Sequence, residues 1–252
     1  MRMHSNTIFI TGGSSGIGKG LAEAFHKLGN QVIIAARRRE TLVRICGANS
    51  GMRYAVLDVT DPAAVRQAAN RLTAEFPNLN CIINNAGVQN GHEFAADEPL
   101  DEAAVLDEIN TNVLGVIRVS AAFVPHLKKQ AGATIMNVSS GLAFVPLARF
   151  PIYCATKAAV HSFSLSLRHQ LKDSGVKVVE LIPPYVATAL GGVAKNVDSG
   201  SGPRPMALDA FIAETMTALA GGADEVAIAN ARNLVIASGL EMVKKVFTGM
   251  NG

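Results

Sequence analysis

Two rhythms of apolar and polar positions alternate along this chain. Short, almost wholly apolar runs predict buried strands, and longer stretches with apolar residues three and four apart predict helices. Thr7-Ile8-Phe9-Ile10 reads as a first strand, followed by a glycine-rich turn and a helix to about Leu28. Gly29-Asn30 then supplies residues that tolerate a left-handed helix cap. Val32 to Ala36 is a second strand and Met52 to Leu57 a third. Asp61 as N-cap and Pro62 at the first position open a helix that runs to Phe76. Cys81-Ile82-Ile83 is a fourth strand, followed by one long helix from about Leu100 to Leu127. Thr134 to Val138 is a fifth strand, about Tyr153 to Asp173 a helix, and Val176 to Ile182 a sixth strand.

This order predicts an α/β fold: a doubly wound, Rossmann-like parallel sheet with helices on both faces, residues 1–252 forming a single domain. Ligands bind such sheets beyond the carboxyl ends of the strands. The rhythm breaks where Pro183-Pro184 stops the sixth strand. The following segment, about 184–206, is rich in turn formers and is expected to be a substrate loop or lid, with a plain surface excursion as the alternative. A helix from about Met206 to Leu219 and a short strand at Val226-Ala227-Ile228 follow, and residues 230–252 take no firm assignment.

Composition narrows the class. The 252 residues are 49% hydrophobic and 17% charged, too apolar for a disordered chain. Aromatics make up 5% and tryptophan is absent, so Ala, Val, Ile and Leu must build the core. The formal charge of +3 is small and dispersed, which argues against nucleic acid as a partner. Cys46, Cys81 and Cys154 form no C-x-x-C pair, so neither a disulfide framework nor a zinc site is expected. The six histidines show no metal-ligand spacing, and no metal is expected. No run approaches the length of a membrane span and no signal peptide is evident, so a cytoplasmic location is expected.

Candidate chemistry begins at the turn after the first strand. Gly12, Ser14, Ser15, Gly16, Ile17 and Gly18 lie between that strand and a helix N-terminus, whose free N–H groups and positive dipole end suit a pyrophosphate. The glycines are spaced four and then two apart, unlike G-x-G-x-x-G. An NAD-preferring site carries Asp or Glu at the end of the second strand. Here Ala36 is followed by Arg37-Arg38-Arg39. Arg37 is expected to hold a 2′-phosphate, Arg38 and Arg39 to be solvated, and the cofactor to be NADP(H) rather than NAD(H). Tyr153 and Lys157, four apart, share one helix face. A nearby ammonium favours the phenolate, and lowering its pKa by three units takes roughly 4 kcal/mol. Tyr153 is therefore expected to exchange a proton with a substrate oxygen, and Ser139, at the end of the fifth strand, to hydrogen-bond the same oxygen.

The residues from Thr11 to Gly18, Asn84-Asn85-Ala86-Gly87, Asn112, Ser139 and Tyr153-x-x-x-Lys157 together resemble the short-chain dehydrogenase/reductase family over essentially the whole chain. The double proline is similar to that of the DltE-like oxidoreductase group, although Pro184 stands where the family usually has glycine and removes an N–H donor. The resemblance implies Tyr153 as general acid in reduction and general base in oxidation. It implies that Lys157 lowers the phenol pKa and holds the nicotinamide ribose, and that Asn112 supports a proton-relaying water. It also implies Asn84 as a bridge between the ribose region and the central strands, and Asp58, with Val59 after it, at the adenine edge. Asn85, Ala86, Gly87, Pro183, Val186 and Thr188, with Tyr153 and Lys157 themselves, complete the implied cofactor contacts.

The expected substrate is a small carbonyl or secondary alcohol, largely apolar, because the segments expected to line its pocket are apolar. Those segments are Leu142 to Val145, His92-Glu93-Phe94 and the 184–206 loop. Surplus apolar positions on the helices over about 100–127 and 153–173 suggest a homodimer or homotetramer. Two rival classes are a sugar epimerase or dehydratase, for whose added domain the length leaves no room, and a non-catalytic cofactor sensor, which generally lacks the tyrosine or lysine retained here.

Overall fold

Seven parallel strands form one sheet in the order β3-β2-β1-β4-β5-β6-β7. They are β1 (Thr7–Thr11), β2 (Gln31–Ala36), β3 (Arg53–Val56), β4 (Leu79–Asn84), β5 (Thr134–Val138), β6 (Lys177–Ile182) and β7 (Glu225–Ala227). The computed structural model describes residues 2–95, 99–190 and 204–239, together with 242, 246 and 249. Eight helices accompany the strands among these residues: α1 (Gly16–Lys27), α2 (Arg39–Ala48), α3 (Pro62–Glu75), α4 (Glu102–Ile109), α5 (Gly115–Leu127), α6 (Pro151–Leu171), α7 (Leu208–Ala220) and α8 (Ala231–Ile236).

Alternation along the strands splits the core into two layers. Ile8 and Ile10 point to one face, where Leu21 and Phe25 of α1, Leu42 of α2 and Phe211 of α7 cover them. Phe9 points to the other, beside Val65 of α3, Phe123 of α5 and Leu167 of α6, and its ring stacks on Phe123 at 5.2 Å. The expected doubly wound sheet is present. Its connections reverse direction between β1 and β4, which are neighbours in the sheet. Loops leave that point toward opposite faces and open a crevice at the carboxyl edge.

Several boundaries differ from those read in the sequence. The helix expected over 100–127 is interrupted by a π-helical segment at Asn110–Leu114. Its sequence fits an unbroken α pattern, because one wide turn shifts the apolar phase too little to be read. The α2 helix carries only two buried residues, Leu42 and Ile45, and so shows no apolar stripe. The α6 helix begins two residues earlier than expected, with Pro151 in its first turn. Residues 191–203, most of the expected lid, lie outside the described residues.

Candidate active site

The turn after β1 is built for close backbone approach. Gly12 has φ +65°, and a Cβ there would lie 2.8 Å from the Cα of Ala86. A Cβ on Gly18 would lie 2.3 Å from Nδ2 of Asn85 and 2.4 Å from the Gly12 carbonyl oxygen. The Thr11 hydroxyl accepts the N–H groups of Asn85 and Ala86 at 3.0 and 3.1 Å. Asn85 Nδ2 in turn donates to the carbonyls of Thr11 and Gly12 at 3.1 and 3.2 Å. The loops after β1 and β4 are thereby fastened into one cradle. No side chain caps the N-terminus of α1 and no acidic residue stands in its first turn, so its N–H groups are open to an anion. Thr188 closes over the same turn, with its Cβ 3.3 Å from where a Cβ on Gly16 would stand. This cradle fits a dinucleotide pyrophosphate.

The cradle belongs to a cleft of about 2010 Å³ along the carboxyl edge of the sheet. Gly12, Ser14, Ser15, Gly16 and Ile17 line it from the first loop, and Asn85, Ala86 and Gly87 from the loop after β4. Arg37 and Arg38 are exposed at the end of β2, Arg38 solvated as expected and leading into α2, and both line the cleft. Asp58 and Val59 line it after β3, the Asp58 carboxylate being turned back on the N–H and hydroxyl of Thr60 at 2.9 and 2.8 Å. Pro183, Val186 and Thr188 line it after β6. The stretch 185–187 is pinned to Met206 by backbone hydrogen bonds of 2.8 and 2.9 Å. Gly18 is not among the lining residues; it lets the loop fold against Asn85.

Tyr153 and Lys157 sit in the cleft wall on the first turns of α6, buried apart from 6% and 4% of their surface. Lys157 Nζ lies 5.6 Å from the centroid of the Tyr153 ring and donates to the Val138 carbonyl at 2.8 Å. Burial drives the lysine pKa down to about 8, against opposing influences from Glu180 and then Glu108. Burial among Phe150, Cys154, Leu142 and Leu147 also pushes the Tyr153 phenol up, partly offset by a hydrogen bond with Ser140. The phenol pKa therefore moves opposite to the direction expected from its lysine neighbour. Desolvation of the phenolate is the largest influence on it, and Lys157 is not among the groups felt at the phenol.

The serine at the phenol is Ser140, not Ser139. Neighbouring residues at a strand end point to opposite sides. The Ser139 hydroxyl turns to the Leu181 carbonyl at 3.5 Å. The Ser140 hydroxyl, which also accepts the Leu142 N–H at 3.1 Å, reaches Tyr153. Both serines line the cleft. Sequence reasoning missed Ser140 because the two serines are adjacent and only the backbone decides which one faces the phenol.

Asn112 is fully buried in the π-helical segment and is not among the lining residues. Its amide accepts the Val88 N–H at 2.9 Å and donates to the Val88 carbonyl at 2.9 Å and to Thr156 Oγ1 at 3.0 Å. It thus clamps the loop after β4 to α6. Asn84 is buried and is not among the residues lining the cleft. Its Nδ2 is turned inward to Ser120 and Asn137 at 2.9 and 2.8 Å. The expected pocket wall is also revised. Of residues 142–145, only Leu142 faces the cleft; Phe144 packs on the His161 ring at 4.5 Å, and Val145 is buried. His92 is turned away to buried Glu108 at 3.2 Å, and exposed Phe94 is not a lining residue. Cys154 receives the Leu147 N–H at 3.3 Å, and burial pushes its thiol up, the signature of packing rather than reactivity. No cluster of three or more His, Cys, Asp or Glu suited to a metal occurs among the described residues. No described helix is long and apolar enough to cross a membrane.

A parallel sheet with a glycine cradle at its switch point and a buried Tyr–Lys pair beside it defines a nucleotide-dependent α/β oxidoreductase. The chain belongs to the short-chain dehydrogenase family, whose model matches residues 6–197. It is 44% identical over 198 residues to the uncharacterized oxidoreductase DltE of Bacillus subtilis, covering 78% of this chain and 77% of that protein, and it groups with the DltE-like oxidoreductases. It is 32% identical over 203 residues to the NADP-dependent 3-hydroxy acid dehydrogenase of Schizosaccharomyces pombe, covering 78% of each. A short chain dehydrogenase from Burkholderia cenocepacia, solved in complex with NADP, superposes with a TM-score of 0.84 at 27% identity over 99% of both chains.

Proposed function

We propose that this protein interconverts a carbonyl and a secondary alcohol with NADP(H), using Tyr153 as the proton donor and acceptor. The observation that carries this reading is the meeting of Tyr153, Lys157 and Ser140 in one cleft with the cradle at Gly12 and Arg37. When bound, the nicotinamide supplies or accepts the hydride. Tyr153 gives a proton to the substrate oxygen in reduction and takes it back in oxidation. Burial holds the phenol in its neutral, donating form. Ser140 hydrogen-bonds the same oxygen, and Lys157 holds the ribose hydroxyls and aids the return of the proton. Asn112 keeps Val88 and Thr156 in place and supports the water that relays protons to Lys157.

The amides from Gly12 to Ile17 hold the pyrophosphate, Asp58 and Val59 meet the adenine, and Asn85 to Gly87 with Pro183, Val186 and Thr188 hold the nicotinamide side. Arg37 supplies the 2′-phosphate contact, with Arg38 beside it. An exposed basic end of β2 without a carboxylate supports NADP(H) over NAD(H). The NADP-dependent relative and the NADP-bound neighbour support it further.

The walls available to substrate are largely apolar (Leu142, Leu147, Phe150, Met206 and Leu234), with the guanidinium groups of Arg149 and Arg204 also in the cleft. They suit a small apolar carbonyl compound and accommodate one that also carries an acidic group. Leu106, Ile109, Leu114, Ile117 and Leu165 stand exposed along the helical path 102–127 and on α6, which supports a homo-oligomer.

The test is turnover of NADPH against a panel of neutral ketones and 3-oxo acids, with Tyr153→Phe as control. The variant is expected to lose turnover by at least about a hundredfold while binding NADPH with unchanged affinity. A variant that keeps half the wild-type rate rules out the assigned proton donor.

A further inference from the structure

The chain makes an unfavourable turn on its way from the last strand to the cleft. Ile228 still follows the sheet, its N–H donating to the Ile182 carbonyl at 3.1 Å. The next residue, Ala229, has φ +46°, and the only other non-glycine residue with positive φ among the described residues is Ser5. This is left-handed backbone, which an alanine methyl disfavours and which persists only where the surroundings over-determine it. Glycine would adopt it freely. The methyl is not idle, since Ala229 packs against the core layer that holds Phe211 and Leu219 of α7.

Three side-chain hydrogen bonds brace the turn, and two residues supply them. Glu214 of α7 accepts the Ala229 N–H at Oε1, over 3.2 Å. The same oxygen accepts the Arg232 guanidinium at 2.6 Å. Arg232, the second residue of α8, also donates from Nε to the carbonyl of Ala227, the last residue of β7, at 3.0 Å. Carboxylate and guanidinium thus close a staple around the strained residue and join β7, α7 and α8. Both side chains are partly exposed, Arg232 at 54% and Glu214 at 32%, and an ion pair so exposed adds little to global stability. Its effect is local: it fixes the direction in which α8 leaves the sheet.

That direction matters to the cleft. The α8 helix lies against the short turn at Gly141–Ala143, where a Cβ on Gly141 would come within 2.8 Å of Leu234 Cδ1 and 3.3 Å of Ala231 Cβ. Gly141 directly follows Ser140, the serine at the Tyr153 phenol, and Ala229, Asn230, Ala231 and Leu234 all line the cleft. We propose that Glu214 and Arg232 are positioning residues: their staple holds Ala229 in its left-handed conformation and so sets α8 as a wall on the substrate side of the cleft. The part this wall plays in turnover rests on the function proposed above, but the staple can be read without substrate.

The probe is amide hydrogen exchange of the full-length, cofactor-free protein, followed by mass spectrometry on peptides covering 227–236, with β1 and β4 as controls. Glu214→Ala removes the shared acceptor. It is expected to speed exchange over 227–236 by about tenfold or more, as the loss of a hydrogen bond to a charged group implies. Exchange in β1 and β4 and the affinity for NADPH should stay unchanged. Ala229→Gly in the same background is expected to restore most of the protection, because glycine needs no staple at that φ; an ion pair uncoupled from the turn would show no such rescue. Unchanged exchange over 227–236 in Glu214→Ala overturns the proposal, and so does a loss that Ala229→Gly fails to reverse. Should Glu214→Ala fail to fold, Arg232→Met decides by the same reading. With a carbonyl substrate from the panel above, Glu214→Ala is expected to raise KM by about fivefold or more while kcat stays nearly constant. An unchanged KM beside faster exchange overturns the positioning role. Absence of any turnover in the wild-type protein counts against the function proposed above, and the exchange result then decides the staple on its own.

Discussion

Lys157 sets the pH behaviour expected of this site. Burial lowers its pKa to about 8, so the ammonium is present below that pH and is lost as pH rises through it. A reaction that needs the charged lysine should therefore hold its kcat/KM up to about pH 7 and fall beyond pH 8, with Tyr153 still protonated throughout that range because burial raises its pKa. A profile of kcat/KM from pH 6 to 10 checks this, and full activity retained at pH 9.5 contradicts it. Arg37 makes a different prediction. Its side chain is exposed at the cleft, so its effect is confined to whatever phosphate it meets. Arg37→Ala is expected to weaken NADPH binding between about 10- and 100-fold and to leave NADH nearly unchanged. Equal losses for the two nucleotides by titration calorimetry remove the 2′-phosphate assignment. Residues of this kind were legible because their signal is local: Tyr153 and Lys157 are one helical turn apart, and Arg37 directly follows a strand. Ser140 was not, since its orientation depends on the backbone at the end of β5.

Elements carry the next level of constraint. The cradle works because two loops distant in sequence share hydrogen bonds: Thr11 and Asn85 tie the turn after β1 to the loop after β4, 74 residues away. Gly18 is what lets α1 approach this joint, since a methyl there would overlap both the Asn85 amide and the Gly12 carbonyl. Gly18→Ala is therefore expected to displace Asn85, lower the thermal midpoint by several degrees, and weaken NADPH and NADH binding together. That pattern contrasts with the selective loss in Arg37→Ala. A Gly18→Ala protein with wild-type stability and affinity would falsify the joint. The strands and most helices were readable because buried parallel strands are continuous apolar runs. The π-helical segment at Asn110–Leu114 was invisible, yet it fixes how Asn112 reaches Val88 and Thr156. Segments of this type are frequent at functional sites because they re-aim side chains without ending the helix.

At the scale of the whole molecule, the sheet and the cleft are one object. The switch between β1 and β4, where the winding of the connections reverses, also opens the crevice, so nucleotide binding is expected to act on global stability rather than on one loop. The cleft is lined from loop after loop along the sheet edge: residues 12, 14–17, 35–38, 57–59, 85–91, 138–142, 183–186 and 188–190, together with Arg204 to Met206. A ligand bridging these loops binds the folded state and has no such site in the unfolded chain. By mass action it stabilises the protein by about 2.7 kcal/mol at a hundred times its dissociation constant. For a domain of this size that corresponds to a rise in thermal midpoint of roughly 5–10 °C. NADPH is expected to give this rise at lower concentration than NADH, and the gap between the two should close in Arg37→Ala. Both shifts should persist in Tyr153→Phe, because the phenol acts on substrate oxygen rather than holding the nucleotide. Thermal unfolding of the three proteins against both nucleotides separates binding from chemistry before any substrate is known. If NADPH leaves the wild-type midpoint where it was, the cradle at Gly12 is not a nucleotide site, and the function proposed for the cleft falls with it.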